Sequence, residues 1–241
     1  MALGLTLTTS SVSANEAGNN FQVSPETPTI TANELLPSNY SAPSKSYDSY
    51  EAVVSEFGSD ITPITPEEIE KAEKIGYVEV NSPDELAALL EYDKAETAKR
   101  EESNSLLEQK MNLASSNETS YRPNNVSPFA SRESLSQEYQ LDWWGNPFTG
   151  LSYLYGRTQI YYWSDTKKID ETNASSYMVG DISGHEWVPS TPEIVADGYY
   201  HRYVRYLGDL KKFIIVNGKP SYTTTTRIDQ LTQIYSTSVI G

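Results

Sequence analysis

The sequence predicts a mainly β C-terminal domain, an antiparallel sandwich or small barrel, preceded by a largely disordered, partly helical acidic N-terminal region. Charge and aromatic content both change along the chain. Residues 1–135 contain nine basic and 22 acidic residues, whereas residues 136–241 contain nine and 11. The C-terminal part also holds 18 of the 27 aromatic residues, including all four tryptophans. Because aromatic side chains supply surface that a core can bury, we expect the core in the C-terminal part.

Residues 1–14 have the composition of the end of a secretory signal peptide. Val12 and Ala14 occupy the small-residue positions that a signal peptidase reads, so cleavage would leave Asn15 as the N-terminus. The basic start of such a signal is missing, because the first cation is Lys45. We therefore expect a secreted, extracellular protein whose start codon lies upstream of Met1. The alternative is a short strand or a disordered tail on an intracellular protein.

The chain contains no cysteine, which excludes a disulfide framework, a thiol nucleophile and a cysteine-based metal site. Eukaryotic secreted domains of this size often rely on disulfides, so the sequence favours a bacterial origin. No apolar run approaches the roughly 20 residues that a membrane-spanning helix needs. We therefore expect no transmembrane segment.

Residues 15–63 predict a disordered spacer. The segment consists mainly of Ser, Thr, Asn, Pro and Glu with isolated apolar residues, and prolines interrupt any regular period. Such a composition offers little surface to bury in a core.

Residues 64–114 predict a helical region with two helix starts. At the first, Thr65 is a capping residue, Pro66 occupies the first helical position and Glu68 completes a capping box. Gly76 is suited to end this helix. The same device recurs over residues 82–85.

Between these starts, residues 77–80 alternate like a short strand. The second helix is expected from Pro83 to about Leu113. Its polar middle equally allows two helices or a frayed one. Residues 115–135 then have the composition of a flexible, protease-accessible linker.

Residues 136–241 predict a Tyr/Trp-rich β domain with turn residues about every ten positions. The candidate strands are 152–163, 176–182, 186–188, 199–207, 211–216 and 222–228. Asn217-Gly218 predicts a type I′ hairpin, because both central residues of that turn need a positive φ. Pro220 lacks an N–H, so the returning strand is expected to begin near Tyr222.

The sequence favours a non-enzymatic protein without a metal or cofactor. Its two histidines, His185 and His201, have no recognisable catalytic partner, and nucleophile, zinc, calcium and phosphate-loop motifs are absent. A carboxylate pair for glycoside hydrolysis remains an alternative, although linear spacing identifies no pair. The candidate acids are Asp142, Asp181, Glu186, Asp197 and Asp209.

Two segments are candidate binding sites. An extended strand places Tyr199, His201, Tyr203 and Arg205 on one face, where aromatic rings alternate with basic groups. This pattern is compatible with three kinds of binding site: a saccharide platform, a nucleic-acid surface and a lipid-facing patch. The net negative charge of the chain disfavours nucleic acid as the ligand. The simpler interpretation is a buried face opposite an ordinary Tyr/Arg cross-strand ladder.

The second segment contains the adjacent tryptophans Trp143 and Trp144 on a turn-prone stretch. They could form an exposed ligand or membrane contact, but sealing the open end of a sandwich is favoured.

Three functions follow from these observations. The first is a secreted bacterial surface protein that binds a cell-wall glycan or another surface polymer through an aromatic and basic face of the β domain. The second is a secreted proprotein whose C-terminal β domain is released as an antimicrobial or toxin-like effector. The third is an extracellular carboxylate-dependent hydrolase.

Overall fold

The computed structural model describes residues 23–37, 40, 42–117, 129–146 and 150–236. The predicted signal remnant, with its cleavage between Ala14 and Asn15, lies outside the described residues, as do residues 118–128 of the predicted linker. The linker prediction is wrong at both of its ends, because residues 115–117 belong to a helix and residues 132–135 to a strand. The described residues form these elements: β1 Thr29–Thr31, α1 Ala32–Leu35, α2 Tyr50–Phe57, β2 Ile61–Pro63, α3 Pro66–Ile75, β3 Tyr77–Val80, α4 Pro83–Asn117, β4 Arg132–Asn146, β5 Gly150–Trp163, β6 Ile169–Val179, β7 His185–Pro189, β8 Glu193–Asp197, β9 His201–Val216 and β10 Lys219–Tyr235.

The larger sheet is built around β9. One edge of β9 pairs with β10 along the whole strand, and the other edge pairs in turn with β8, β7 and β3. The sheet order is β1-β3-β9-β10-β2. The fold is mainly β as predicted, but this sheet is mixed, because β1 and β3 pair in parallel and so do β3 and β9. Parallel pairs need long crossovers, which the helical N-terminal half supplies.

The smaller sheet is an antiparallel meander with the order β4-β5-β6. A register shift between Gln140 and Asp142 marks a bulge in β4. The inner face of this sheet contacts the larger one, where the hydroxyls of Thr158 and Tyr206 share a hydrogen bond. The Tyr139 hydroxyl also donates a hydrogen bond of 2.6 Å to the carbonyl of Gln233.

The main core lies between α4 and the inner faces of both sheets. The first turns of α4 bury Leu86, Leu89 and Leu90 against residues that include Leu154, Val204, Leu210 and Ile228. A smaller core on the other side of the large sheet joins α3 to β9. Farther along α4, the amide of Asn104 donates to the carbonyl of Asp229 and accepts from the N–H of Leu231, so it pairs with the open edge of β10.

The prediction of a disordered spacer over residues 15–63 is wrong for the described part, which forms β1, α1, α2 and β2. Single apolar side chains hold these short elements in the core: Leu35, Val53, Phe57 and Ile61 are all buried. The two strands have three residues each and the two helices four and eight, which is too few for a helical or strand period to stand out among the prolines of this segment. Since β2 pairs with β10, and β3 with β9, the acidic half and the predicted β domain share one sheet.

The strongest local predictions are confirmed. The capping box at Thr65 is formed, and Gly76 ends α3 with a φ of 100°. Of the alternatives left open for the second helix, one continuous helix is observed, α4. No helix of the described ranges is long and apolar enough to cross a membrane.

The hairpin turn has φ values of 51° at Asn217 and 73° at Gly218, both positive as predicted. However, β10 begins at Lys219 and not near Tyr222. A register shift between Pro220 and Tyr222 accommodates the missing proline N–H.

Candidate ligand-binding face

The residues predicted as a platform on β9 are largely covered. Tyr203 is 1% exposed, and its ring meets His201 edge to face at 5.3 Å. Arg205 forms ion pairs with Glu108 and Asp229. Because other elements pack on both faces of β9, its side chains mainly contact other parts of the protein. A ligand role for this segment stays a prediction.

Tyr199, the remaining residue of that group, lies before β9. It is half-buried, and its ring packs edge to face against Tyr200 at 4.6 Å.

The two tryptophans of β4 point to opposite sides of the smaller sheet. Trp144 is 4% exposed, stacks on His185 with 4.4 Å between ring centroids, and donates its indole N–H to the carbonyl of Asp181. Trp143 is half-buried and lies directly opposite Tyr153 of β5 in the sheet register. Only Trp143 therefore belongs to the outer surface of the smaller sheet.

Strand β5 determines the character of both surfaces of this sheet. Its inward positions, Leu154, Gly156, Thr158 and Ile160, are buried, whereas the residues between them point outward. A Cβ at Gly156 would lie 2.7 Å from the ring of Tyr206, so glycine allows the two sheets to approach.

The outward positions carry a contiguous group of aromatic rings. The rings of Tyr153 and Tyr155 stack 5.5 Å apart, and Tyr155 contacts Tyr177 of β6 at 6.0 Å. Trp143 of β4 lies opposite Tyr153 in the strand register, on the same side of the sheet. We call these four residues the aromatic face. The Tyr177 hydroxyl donates to Glu138 at 2.6 Å, which fixes the outer ring of the group.

A polar area continues the aromatic face along β5 and β6. Arg157, Gln159, Asn173 and Ser175 line a shallow cavity of about 250 Å³. Asn173 donates to Glu171 at 3.0 Å. Arg157, Asn173 and Ser175 are exposed, so their remaining hydrogen-bonding capacity faces solvent. We call these four residues the polar cavity.

Beyond the polar cavity, the guanidinium of Arg132 lies over the ring of Tyr161 at 4.6 Å. Arg132 also forms ion pairs with Asp170 and Glu171. Basic and acidic side chains therefore alternate on this surface, and it has no strong net field. Its chemistry is suited to stacking and hydrogen bonding more than to binding by charge.

His185 is buried inside the fold, away from this face. Its Nδ1 lies 2.8 Å from the carbonyl of Ser183, and burial lowers its pKa to about 3. The ring is therefore neutral and donates from Nδ1 near neutral pH. It serves as a packing partner of Trp144.

The acids considered for hydrolysis have separate partners. Asp181 accepts from both the N–H and the hydroxyl of Ser183, and these bonds lower the pKa of its carboxyl. Glu186 pairs with Lys71, and Asp209 with Arg227. The side chain of Asp197 lies outside the described residues.

Asp142 is largely buried and forms an ion pair of 3.6 Å with Arg100. In the ranges that the structure describes, no group of three or more His, Asp and Glu residues is placed to hold a metal ion.

No family model, curated protein or solved structure matches this chain. The candidate site therefore rests on its own geometry. Sequence reasoning missed Tyr153, Tyr155 and Tyr177, although the two-residue period of Tyr153, Tyr155, Arg157 and Gln159 was a usable signal. That period shows which residues share a face of β5, but it does not show that this face stays open.

Proposed function

We propose that this is a non-enzymatic, secreted bacterial surface protein that binds a glycan on the aromatic face. One observation carries the proposal: the ring of Tyr155 contacts those of Tyr153 and Tyr177 beside a polar cavity, on the outward side of the smaller sheet. The proposal keeps the function class favoured by the sequence and moves the binding residues from β9 to the smaller sheet.

The two parts of the surface match the two chemical characters of a sugar ring. The C–H face of a pyranose is apolar and flat, and it can stack on a tyrosine or tryptophan ring. The hydroxyl groups around the same ring need both donors and acceptors. Gln159 and Asn173 offer both through their amides, and Arg157 adds a fork of donors.

The dimensions favour a chain of sugars over a single ring. A strand rises about 3.4 Å per residue, so the outward side chains from Tyr153 to Gln159 span about 20 Å. We therefore expect oligosaccharides to bind more tightly than monosaccharides.

Composition distinguishes this surface from a protein interface or a nucleic-acid site. Val179 is the aliphatic residue opposite Tyr153 at one end, whereas Tyr, Arg, Gln, Asn and Ser occupy the middle. The centre of a protein interface is usually more apolar. A nucleic-acid site would need a strong positive field, which a chain with a net charge of −15 does not favour.

The test is glycan binding by the wild-type chain and by Tyr155→Ala, measured by pull-down on purified bacterial cell-wall polysaccharides and by calorimetry with soluble oligosaccharides. Loss of the central ring should weaken binding about tenfold, which corresponds to about 1.4 kcal/mol. Tyr235→Ala is the matched control, because Tyr235 is also partly exposed but lies on β10. Failure of the wild-type chain to bind any polymer, or equal affinity of Tyr155→Ala, would contradict the proposal.

No observation on the described residues specifically supports either alternative function. Release of residues 136–241 would remove β2 and β3 from the sheet and the leucines of α4 from the core. The hydrolase would need a carboxylate pair that the separate ion pairs of Glu186 and Asp209 do not provide. Export stays a prediction, and N-terminal sequencing of the protein from culture medium tests it by showing whether the chain begins at Asn15.

A further inference from the structure

The strongest unexplained feature lies in the core and not on the binding face. Lys212, in the middle of β9, is 5% exposed. Its Nζ lies 2.6 Å from Oδ2 of Asp93 on α4. The same oxygen accepts a hydrogen bond of 2.9 Å from the hydroxyl of Thr226. Lysine is rarely buried in proteins, because its ammonium group loses favourable hydration.

A second carboxyl group lies beside this pair. Asp142 of β4 lines, together with Asp93 and Lys212, a cavity of about 10 Å³, which is about the room that one water needs. Burial raises the pKa of Asp142, which favours the protonated acid. The guanidinium of Arg100 pairs with this carboxyl at 3.6 Å and opposes part of that shift.

Buried side chains surround much of this cavity. Leu89, Tyr92, Trp144 and Leu210 line the same cavity, and all four are buried. His185 lies next to Lys212 in the sheet register and is neutral near physiological pH, so it adds no second positive charge. A buried amine, a carboxyl group in contact with it and a nearby acid therefore line the same small cavity.

We propose that Lys212 and Asp93 form an intramolecular isopeptide bond, with Asp142 as the catalytic acid and base. The bond would join Nζ of Lys212 to Cγ of Asp93 and link α4 covalently to β9. It is independent of the glycan-binding proposal, since it lies in the core.

The reaction balances without any further reactant. Proton transfer within the Lys212–Asp93 ion pair gives a neutral amine and a neutral carboxylic acid. The amine nitrogen attacks Cγ of Asp93 and forms the new C–N bond. Asp142 donates its proton to the departing hydroxyl of Asp93, which leaves as water, and takes back a proton from the nitrogen. The products are a neutral amide, one water and a regenerated Asp142.

Two physical effects favour the product. Groups held in contact react with an effective molarity of about 10⁵–10⁸ M, which offsets the unfavourable condensation in water. Burial also penalises the ammonium–carboxylate pair, whereas the amide carries no charge. In a chain without cysteine, this bond would close a covalent loop over residues 93–212 and restrict the unfolded state as a disulfide does.

Mass spectrometry of the whole chain in denaturant tests the bond directly. We expect a mass lower than that of the unlinked sequence by one water. A tryptic digest should contain a branched peptide that joins Asp93 to Lys212, without cleavage after Lys212. A folded wild-type chain with the unlinked mass would overturn the proposal.

Variants separate the chemistry from simple packing. Lys212→Arg keeps the positive charge and should show the full unlinked mass, whereas Lys211→Arg, at the adjacent position, should still lack one water. Asp142→Asn should abolish or slow the linkage. Asp93→Asn should form the same amide with loss of ammonia in place of water, and this mass change has no explanation in an ordinary ion pair. Persistence of the linked mass in Lys212→Arg would also contradict the assignment.

Discussion

Two tyrosine-rich segments of this chain resemble each other in sequence and differ in environment. In β9, Tyr203 and Tyr206 are buried, because the strand has neighbours on both edges and packed elements on both faces. In β5 and β6, Tyr153, Tyr155 and Tyr177 are only partly buried, because their side chains point away from the inner face, which packs against the larger sheet. The difference shows that packing over a sheet face, and not the tyrosine content of a strand, decides whether a tyrosine is buried.

The largest effect expected from this comparison is on stability. Tyr206→Ala removes a fully buried ring that fills the space above Gly156, and should lower the free energy of unfolding by about 4 kcal/mol. Chemical denaturation measures the change. A loss below 1 kcal/mol would show that β9 is not the packed strand described above.

The buried His185 of β7 predicts a response to acid. His185 has its pKa lowered to about 3 by burial, whereas the unfolded histidine titrates near 6.5. The contribution of this neutral histidine to the free energy of unfolding is therefore fully present above pH 6.5, and it is lost as the pH falls from there toward 3. Between pH 6.5 and 5, protonation of this single group in the unfolded state should lower the free energy of unfolding by about 2 kcal/mol.

Denaturation curves at several pH values test this sign against a His185→Gln variant. The variant should be less stable at pH 7, because the ring stacked on Trp144 is lost, but it should show a shallower decline on acidification. Parallel curves for the two proteins would contradict a buried neutral histidine.

A smaller effect is expected at the hydrogen bond between the sheets. Thr158→Val keeps the shape of the side chain but leaves the buried hydroxyl of Tyr206 without this partner. The free energy of unfolding should fall by about 1–2 kcal/mol. The double variant Thr158→Val/Tyr206→Phe should recover part of this loss, and absence of recovery would indicate that packing, not the hydrogen bond, is responsible.

The smallest effect is expected on the outer surface. Tyr153→Phe keeps the ring that stacks on Tyr155 and removes a hydroxyl on the open side of the sheet. Thermal or chemical denaturation should show a change within about 0.5 kcal/mol. A loss as large as that of Tyr206→Ala would mean that the aromatic face is covered by another part of the chain.

Local features were predictable because short-range sterics and hydrogen bonds determine them. The capping box at Thr65 and the positive φ at Asn217 depend on residues within a few positions. The strand over residues 152–163 was likewise visible from its composition. The proposed site was only partly predictable: Trp143 was among the candidates, whereas Tyr155 and Tyr177 become neighbours through pairing of two strands.

The sequence by itself determined that the protein is mainly β, that its N-terminal half contains two well-capped helices, and that no disulfide can support it. The tertiary structure decided which tyrosines are buried, that β2 and β3 join the sheet of β9 and β10, and that Lys212 meets Asp93. The physical reason is sequence distance. Side chains 119 positions apart, such as Asp93 and Lys212, leave no local pattern, and only the packing of α4 on the sheet brings them into contact.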